Sequence, residues 1–171
     1  MKIALGIVLG LVGIVLLLAI VGFLLPKDHI TTRAGHFRQK PDAIWKLITD
    51  IDSMPGWREG LKAVKKAPDK NGLPAWTEET KFGPIALETV ELAAPGKMIT
   101  RIADPNLPFG GTWTYEVFAT EEGATLRITE NGTVRNPIFR FLSRFVFGYD
   151  ATMNGYLKSV ARKFGEDPRV E

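Results

Sequence analysis

The sequence contains no cysteine, which excludes disulfides, thiolate zinc sites, iron–sulfur clusters and cysteine nucleophiles together. Histidine is nearly as scarce. The two present, His29 and His36, are seven positions apart, an odd spacing that turns them to opposite faces of one strand and away from a shared metal. Serine occurs only at 53, 143 and 159, never in Gly-x-Ser-x-Gly, and the chain has no His-Glu-x-x-His, Gly-x-Gly-x-x-Gly or phosphate-loop pattern. No metal or cofactor is expected from these residues. Charge of one sign is also missing: setting Lys2 aside from the 22 Lys and Arg leaves 21 against 19 Asp and Glu. A nucleic-acid partner has no support in that balance, because phosphate binding needs a concentrated basic face.

What the chain does have is one long hydrophobic run. Ile3 to Leu25 is free of charge and of strong hydrogen-bonding side chains, and at about 1.5 Å per helical residue it exceeds the roughly 30 Å hydrocarbon core of a bilayer. Residues 1–26 therefore read as a transmembrane anchor. A cleaved signal is the alternative, but signal cores are shorter and end at a small-residue site, whereas this run ends Gly22-Phe23-Leu24-Leu25-Pro26. Lys27, Arg33, Arg38 and Lys40 outweigh Lys2, so the positive-inside rule favours a single-pass protein of the cell membrane with its soluble domain in the cytoplasm. Gly6 and Gly10 have the small-xxx-small spacing of close helix pairs, which makes a weak homodimer an expectation.

Residues 29–165 read as one domain, followed by a tail at 166–171. His29 to Phe37 reads as a strand; Pro41 to Asp50 has proline and an acid in its first turn and Ile44, Leu47 and Ile48 at helical spacing. Pro55-Gly56 ends a further helical turn. Strands are predicted near 61–67, 75–81, 85–93, 97–103, 111–120 and 124–134, joined by short turns such as Asp69-Lys70-Asn71-Gly72 and Glu121-Glu122-Gly123. Short joins make consecutive strands antiparallel neighbours. After Asn136-Pro137, a stripe through Phe139, Leu142, Val146, Tyr149, Met153, Tyr156, Leu157, Val160 and Phe164 predicts one long C-terminal helix over 138–164. The fold class is α+β, a curved antiparallel sheet wrapped around that helix with space for a ligand between them.

Pro41-Asp42-Ala43-Ile44-Trp45, Pro55-Gly56-Trp57, Gly111-Thr112-Trp113-Thr114-Tyr115, Thr125-Leu126-Arg127-Ile128-Thr129-Glu130 and Asn136-Pro137 together resemble the START-like SRPBCC superfamily. More narrowly, the domain is similar to bacterial members labelled polyketide cyclase/dehydrase and lipid transport, which have the helix-grip fold. The resemblance implies a hydrophobic-ligand cavity between sheet and helix. Its motifs are structural, so it supplies no universal catalytic residue.

Strand parity singles out Glu130, which continues the apolar face of Leu126 and Ile128. A carboxylate there could serve as an acid or base or as a polar anchor, with Tyr115 as a hydrogen-bond donor if the strands align; a strand-end carboxylate reaching water or pairing with an arginine is the alternative. Trp57, Trp76 and Trp113 are candidate pocket walls, and Tyr149, Met153, Tyr156 and Leu157 are the helix stripe expected to face the sheet, where core packing serves equally well. Arg140, Ser143 and Arg144 fall on one narrow face of an otherwise apolar segment. Arg140, Phe141, Arg144 and Phe145 are therefore expected to meet the bilayer interface, with full burial against the domain's own loops as the equal alternative. Asn131-Gly132-Thr133 matches the glycosylation pattern, a short motif common by chance.

These features lead to a membrane-tethered binding domain for a lipid or other hydrophobic small molecule. Two other functions fit: a cyclase- or dehydratase-like enzyme using Glu130, or a non-catalytic membrane assembly module. A packed interior with an exposed apolar patch would favour the last.

Overall fold

The computed structural model describes residues 2–171. Helix α1 (Lys2–Leu24) leads into β1 (Asp28–Phe37), α2 (Pro41–Thr49) and a 3-10 turn (Ile51–Gly56). Then follow β2 (Leu61–Lys70), β3 (Leu73–Thr80), β4 (Gly83–Ala93), β5 (Lys97–Ile102), β6 (Phe109–Thr120) and β7 (Gly123–Val134). Helix α3 (Pro137–Leu142), a π-helical turn (Ser143–Phe147), α4 (Ala151–Lys163) and β8 (Arg169–Val170) complete the chain.

The strands form one eight-stranded antiparallel sheet in the order β2-β3-β4-β5-β6-β7-β1-β8. The meander from β2 to β7 follows from its short turns, and β1 closes against β7 because the two helical elements after β1 carry the chain across to β2. The alternation in the sequence now has a direction. Leu126 and Ile128 on β7 are fully buried, and they meet Ile44 and Ile48 of α2 and Met153, Tyr156, Leu157 and Val160 of α4 in one core. The fold is the helix grip expected from the sequence. Within the 166–171 tail, Arg169 and Val170 pair with His36 and Gly35 and extend the sheet by a short edge.

The single long C-terminal helix does not form. Asn136 caps α3 through Oδ1, which accepts from the backbone N–H groups of Ile138 and Phe139 at 2.9 and 3.1 Å, as the Asn-Pro signal implies. The helix then widens to a π turn and stops at Gly148, whose φ of +75° a side chain disfavours. Apolar spacing continues through this break, so periodicity could not reveal it. The consequence is that α3 and α4 pack against different things: α4 against the sheet, α3 against α1.

Candidate functional site

The space expected between sheet and α4 is occupied by the protein's own rings. Tyr115 of β6 and Tyr156 of α4 are buried with centroids 5.6 Å apart; Trp57 meets Tyr156 edge-on at 5.4 Å, and Trp113 stands 6.1 Å from Tyr156. Met153 and Leu157 fill the layer beside them. Tyr115, Met153, Tyr156 and Leu157, all predicted pocket residues, are thus core members with Trp57 and Trp113 packed against them, and the open cavity expected from the sequence is replaced by an aromatic cluster.

That cluster encloses polar groups. Arg58 follows Trp57, places its guanidinium 5.2 Å from the centre of the Tyr156 ring, and donates to Glu78 Oε1 at 2.5 Å. Trp76 Nε1 donates to the same oxygen at 3.3 Å. Trp76 is buried, as is Glu78, two positions further along the same strand face. Burial works most strongly against the Arg58 charge, but the combined influence of Glu78, Tyr115 and Tyr156 exceeds it, so the guanidinium is held more firmly protonated than usual. Burial pushes both the Tyr115 and the Tyr156 phenols above their ordinary value, keeping them neutral at physiological pH.

Two donors in this interior have no protein partner: the Tyr156 hydroxyl and Trp57 Nε1. Buried polar groups left unpaired are uncommon and costly. Outside Trp57 lies an open depression of about 340 Å³ lined by Pro55, Gly56, Trp57, Arg58, Glu59 and Arg162. A second depression, about 520 Å³, lies elsewhere, between the β6–β7 turn and the C-terminal tail, and is lined mainly by charged residues.

Glu130 occupies a separate polar group near the start of α4. The register sets Trp113 directly opposite it, and Trp113 Nε1 donates to Glu130 Oε2 at 2.8 Å. His29, diagonal to Glu130 across the β1–β7 ladder, brings Nε2 within 3.1 Å of Oε1. Tyr149 stacks on the His29 ring at 3.9 Å. Tyr115, the donor anticipated from sequence, pairs with Ile128 and takes no part in holding Glu130. Next to this group Arg33 donates to Asp150 Oδ2 through Nε and Nη2 at 3.0 and 2.5 Å. These hydrogen bonds hold the Asp150 carboxyl below the usual carboxylate range. His29 Nδ1 and Asn154 Oδ1 are buried without partners.

Sequence reasoning missed Arg58, Glu78 and His29 as members of these groups. Glu78 was detectable by the same parity that marked Glu130, since it shares the Trp76 face of β3. His29 had no such signal, because its partner lies 101 positions away.

The membrane-contact candidates separate. Arg144 and Phe145 are exposed and Phe141 is half-buried, but Arg140 is 2% exposed. It donates to backbone carbonyls at the end of α1, so its place is a protein interior and the expected headgroup contact does not hold for it. Helix α1 is long and apolar enough to cross a membrane, with little of its surface covered by the domain. Among the described residues no cluster of His, Asp and Glu is arranged to hold a metal ion.

Residues 29–164 match the family described as polyketide cyclase/dehydrase and lipid transport. Among solved structures, the domain is similar to the di-domain aromatase/cyclase StfQ of the steffimycin biosynthetic pathway, at 17% identity and a TM-score of 0.60 over 78% of this chain. The chain spans about half of that protein, 49% of its length. The Zhui aromatase/cyclase from Streptomyces sp. R1128 superposes with a TM-score of 0.61 at 12% identity, covering 78% of this chain and 88% of that one. A solution structure from Thermobifida fusca gives 0.61 at 15%, covering 82% and 94%. At these identities the likeness is one of fold. No curated protein matches the chain.

Proposed function

The chain belongs to the polyketide cyclase/dehydrase and lipid transport family, and from that premise we propose that it is a membrane-tethered binding protein for a lipid or other hydrophobic small molecule. The observation that carries this reading is the pair of unpartnered donors, Trp57 Nε1 and the Tyr156 hydroxyl, in a largely aromatic interior beside an open depression. An amphipathic ligand entering past Trp57 would place an acceptor oxygen against these donors, near the Arg58 guanidinium, and its apolar body among Trp113, Tyr115, Met153 and Leu157. Their rings must part to admit it, which makes loop movement at Pro55-Gly56-Trp57 the access step. Trp76 supports the site from behind through Glu78.

In this reading α1 is a retained anchor of the cell membrane with the domain on the cytoplasmic side, and Gly6 and Gly10 supply a weak self-association face. Native mass spectrometry of the full chain released from detergent tests the binding reading, followed by extraction of any copurifying molecule and uptake of labelled lipid. Bound hydrophobic molecules of one class are expected. Repeated absence of both ligand and uptake in folded protein would end this reading.

Two specific observations favour other readings. The His29–Glu130–Trp113 group gives a cyclase- or dehydratase-like enzyme its acid/base pair: Glu130 orients His29 through Nε2, leaving buried Nδ1 to exchange a proton with substrate. The closed aromatic interior and the exposed phenylalanines after α3 fit a non-catalytic assembly module. The same ligand experiment separates that module from a binding protein.

A further inference from the structure

The C-terminal end of α1 is built into the domain. Arg140 gives Nη1 to the carbonyl oxygens of Gly22, Phe23 and Leu25 at 2.9, 3.3 and 2.9 Å. Its Nε and Nη2 go to the carbonyls of Val134 and Arg135 at 3.0 and 3.1 Å. A helix leaves its last carbonyls without internal donors and concentrates negative partial charge there, a deficit that is expensive beside a bilayer. A guanidinium supplies both the donors and the charge. Opposite, Gly22 lies so close to α3 that a Cβ there would stand 1.9 Å from the Pro137 carbonyl oxygen. The linker is fastened as well, since Val134 N–H donates to the Lys27 carbonyl at 2.8 Å. The segment between α1 and β1 is a fixed joint.

Beside this joint, α3 and the following turn expose Phe139, Phe145, Val146 and Phe147, the last three between 58 and 61%. The Phe141 and Phe145 rings touch at 4.9 Å. Phe23 and Leu24, at the end of α1 that packs on α3, are exposed as well, and exposed Arg144 stands among the rings in sequence.

We propose that this ridge is a second membrane contact, held in the interfacial layer of the bilayer that α1 spans because Arg140 pins α1 to α3. The occupant is lipid: the patch adjoins the end of the apolar helix, cannot swing away from it, and carries an arginine suited to headgroup phosphates. The consequence is a fixed orientation of the domain at the membrane surface. The proposal rests on the tethering reading above.

The absence of cysteine makes the test direct. Full-length Phe147→Cys, carrying a bimane label, is reconstituted in nanodiscs of phosphatidylcholine and phosphatidylglycerol with doxyl-labelled lipid. Glu122→Cys, in the β6–β7 turn at the opposite end of β7 from Val134, is the reference. Lipid quenching at 147 is expected to exceed that at 122 by roughly threefold or more, as interfacial insertion requires. Arg140→Gln and Gly22→Leu should each bring it down towards the value at 122 while α1 resists carbonate extraction. Gly22→Leu lies outside the sheet–helix core and decides the matter if Arg140→Gln loses its near-UV circular dichroism. Equal quenching at 147 and 122 in inserted wild-type protein overturns the proposal, as does quenching at 147 unchanged in both variants. A label at 147 shielded from lipid in proportion to protein density assigns the ridge to a second copy and also overturns it. Extraction of the wild-type chain by carbonate defeats the tethering reading itself, a result distinct from the others.

Discussion

Trp113 and Glu130 are direct register partners on β6 and β7, and the indole N–H of one donates to the carboxylate of the other at 2.8 Å. This bond, with His29 on the second oxygen, accounts for a carboxylate on a face otherwise occupied by Leu126 and Ile128. Glu130→Ala strands both partners and is expected to cost about 1–3 kcal/mol. Glu130→Gln should cost less, since the amide oxygen still accepts from Trp113. Guanidinium unfolding in detergent measures both; equal losses would show that the carboxylate's second contact with His29 dominates.

Tyr156→Phe separates ligand binding from stability. The hydroxyl has no protein partner, so its removal should leave the unfolding midpoint unchanged or raise it, by up to about 1 kcal/mol. Binding of a labelled lipid should weaken roughly fivefold, the effect of one lost hydrogen bond. Trp57→Phe, which removes the other free donor, should act in the same direction. Undiminished binding in both variants would move the ligand's polar group elsewhere.

The alkaline limb of stability follows from the two buried phenols. Both fold with raised pKa values because burial opposes the phenolate, so the folded state keeps its protons longer than the unfolded chain. Their contribution is complete below the unfolded value of about 10 and is lost as pH rises through the higher folded values. Melting temperatures between pH 8 and 11 should therefore fall at the upper end, and less steeply in Tyr156→Phe. Identical slopes in wild type and variant would contradict this assignment.

The acid limb has the opposite sign. Hydrogen bonds from Lys70 and then Arg101 hold Glu88 low, and Arg33 holds Asp150 low. Both carboxylates contribute stability above an unfolded pKa of about 4, and lose it as pH falls through their lower folded values. Arg33→Gln should lower stability at pH 7 and flatten the decline below about pH 5. Chemical unfolding at pH 7, 5 and 3.5 reads both effects.

Much of the fold was legible because its signals are local. Turn residues at short intervals, period-two alternation and the Pro41 helix start specify the meander and α2, and the family resemblance agrees with the helix grip they form. Glu130 was legible as an exception to alternation. Its partners were not, because Trp113 and not Tyr115 lies opposite it only once the β6–β7 register is set. Apolar spacing runs through Gly148 without a gap, so the pattern after Asn136 predicts one helix where the structure has two. The interior was read as a cavity, whereas Tyr115, Tyr156 and Trp57 fill it.

The sequence by itself determined that there is one long apolar helix, a domain of antiparallel strands with helices on one face, and no thiol chemistry. These rest on residue type and spacing, which act over a few positions. The tertiary structure alone decided that Arg140 serves the end of α1 and not the headgroups, and that Glu78 closes on Arg58. It also left Trp57 and Tyr156 with donors unspent. Each of those outcomes depends on which backbone or side chain lies across a contact from residues distant in the chain. A helical face names the direction of Arg140, but the Gly22, Phe23 and Leu25 carbonyls that its Nη1 reaches lie 115 to 118 positions earlier.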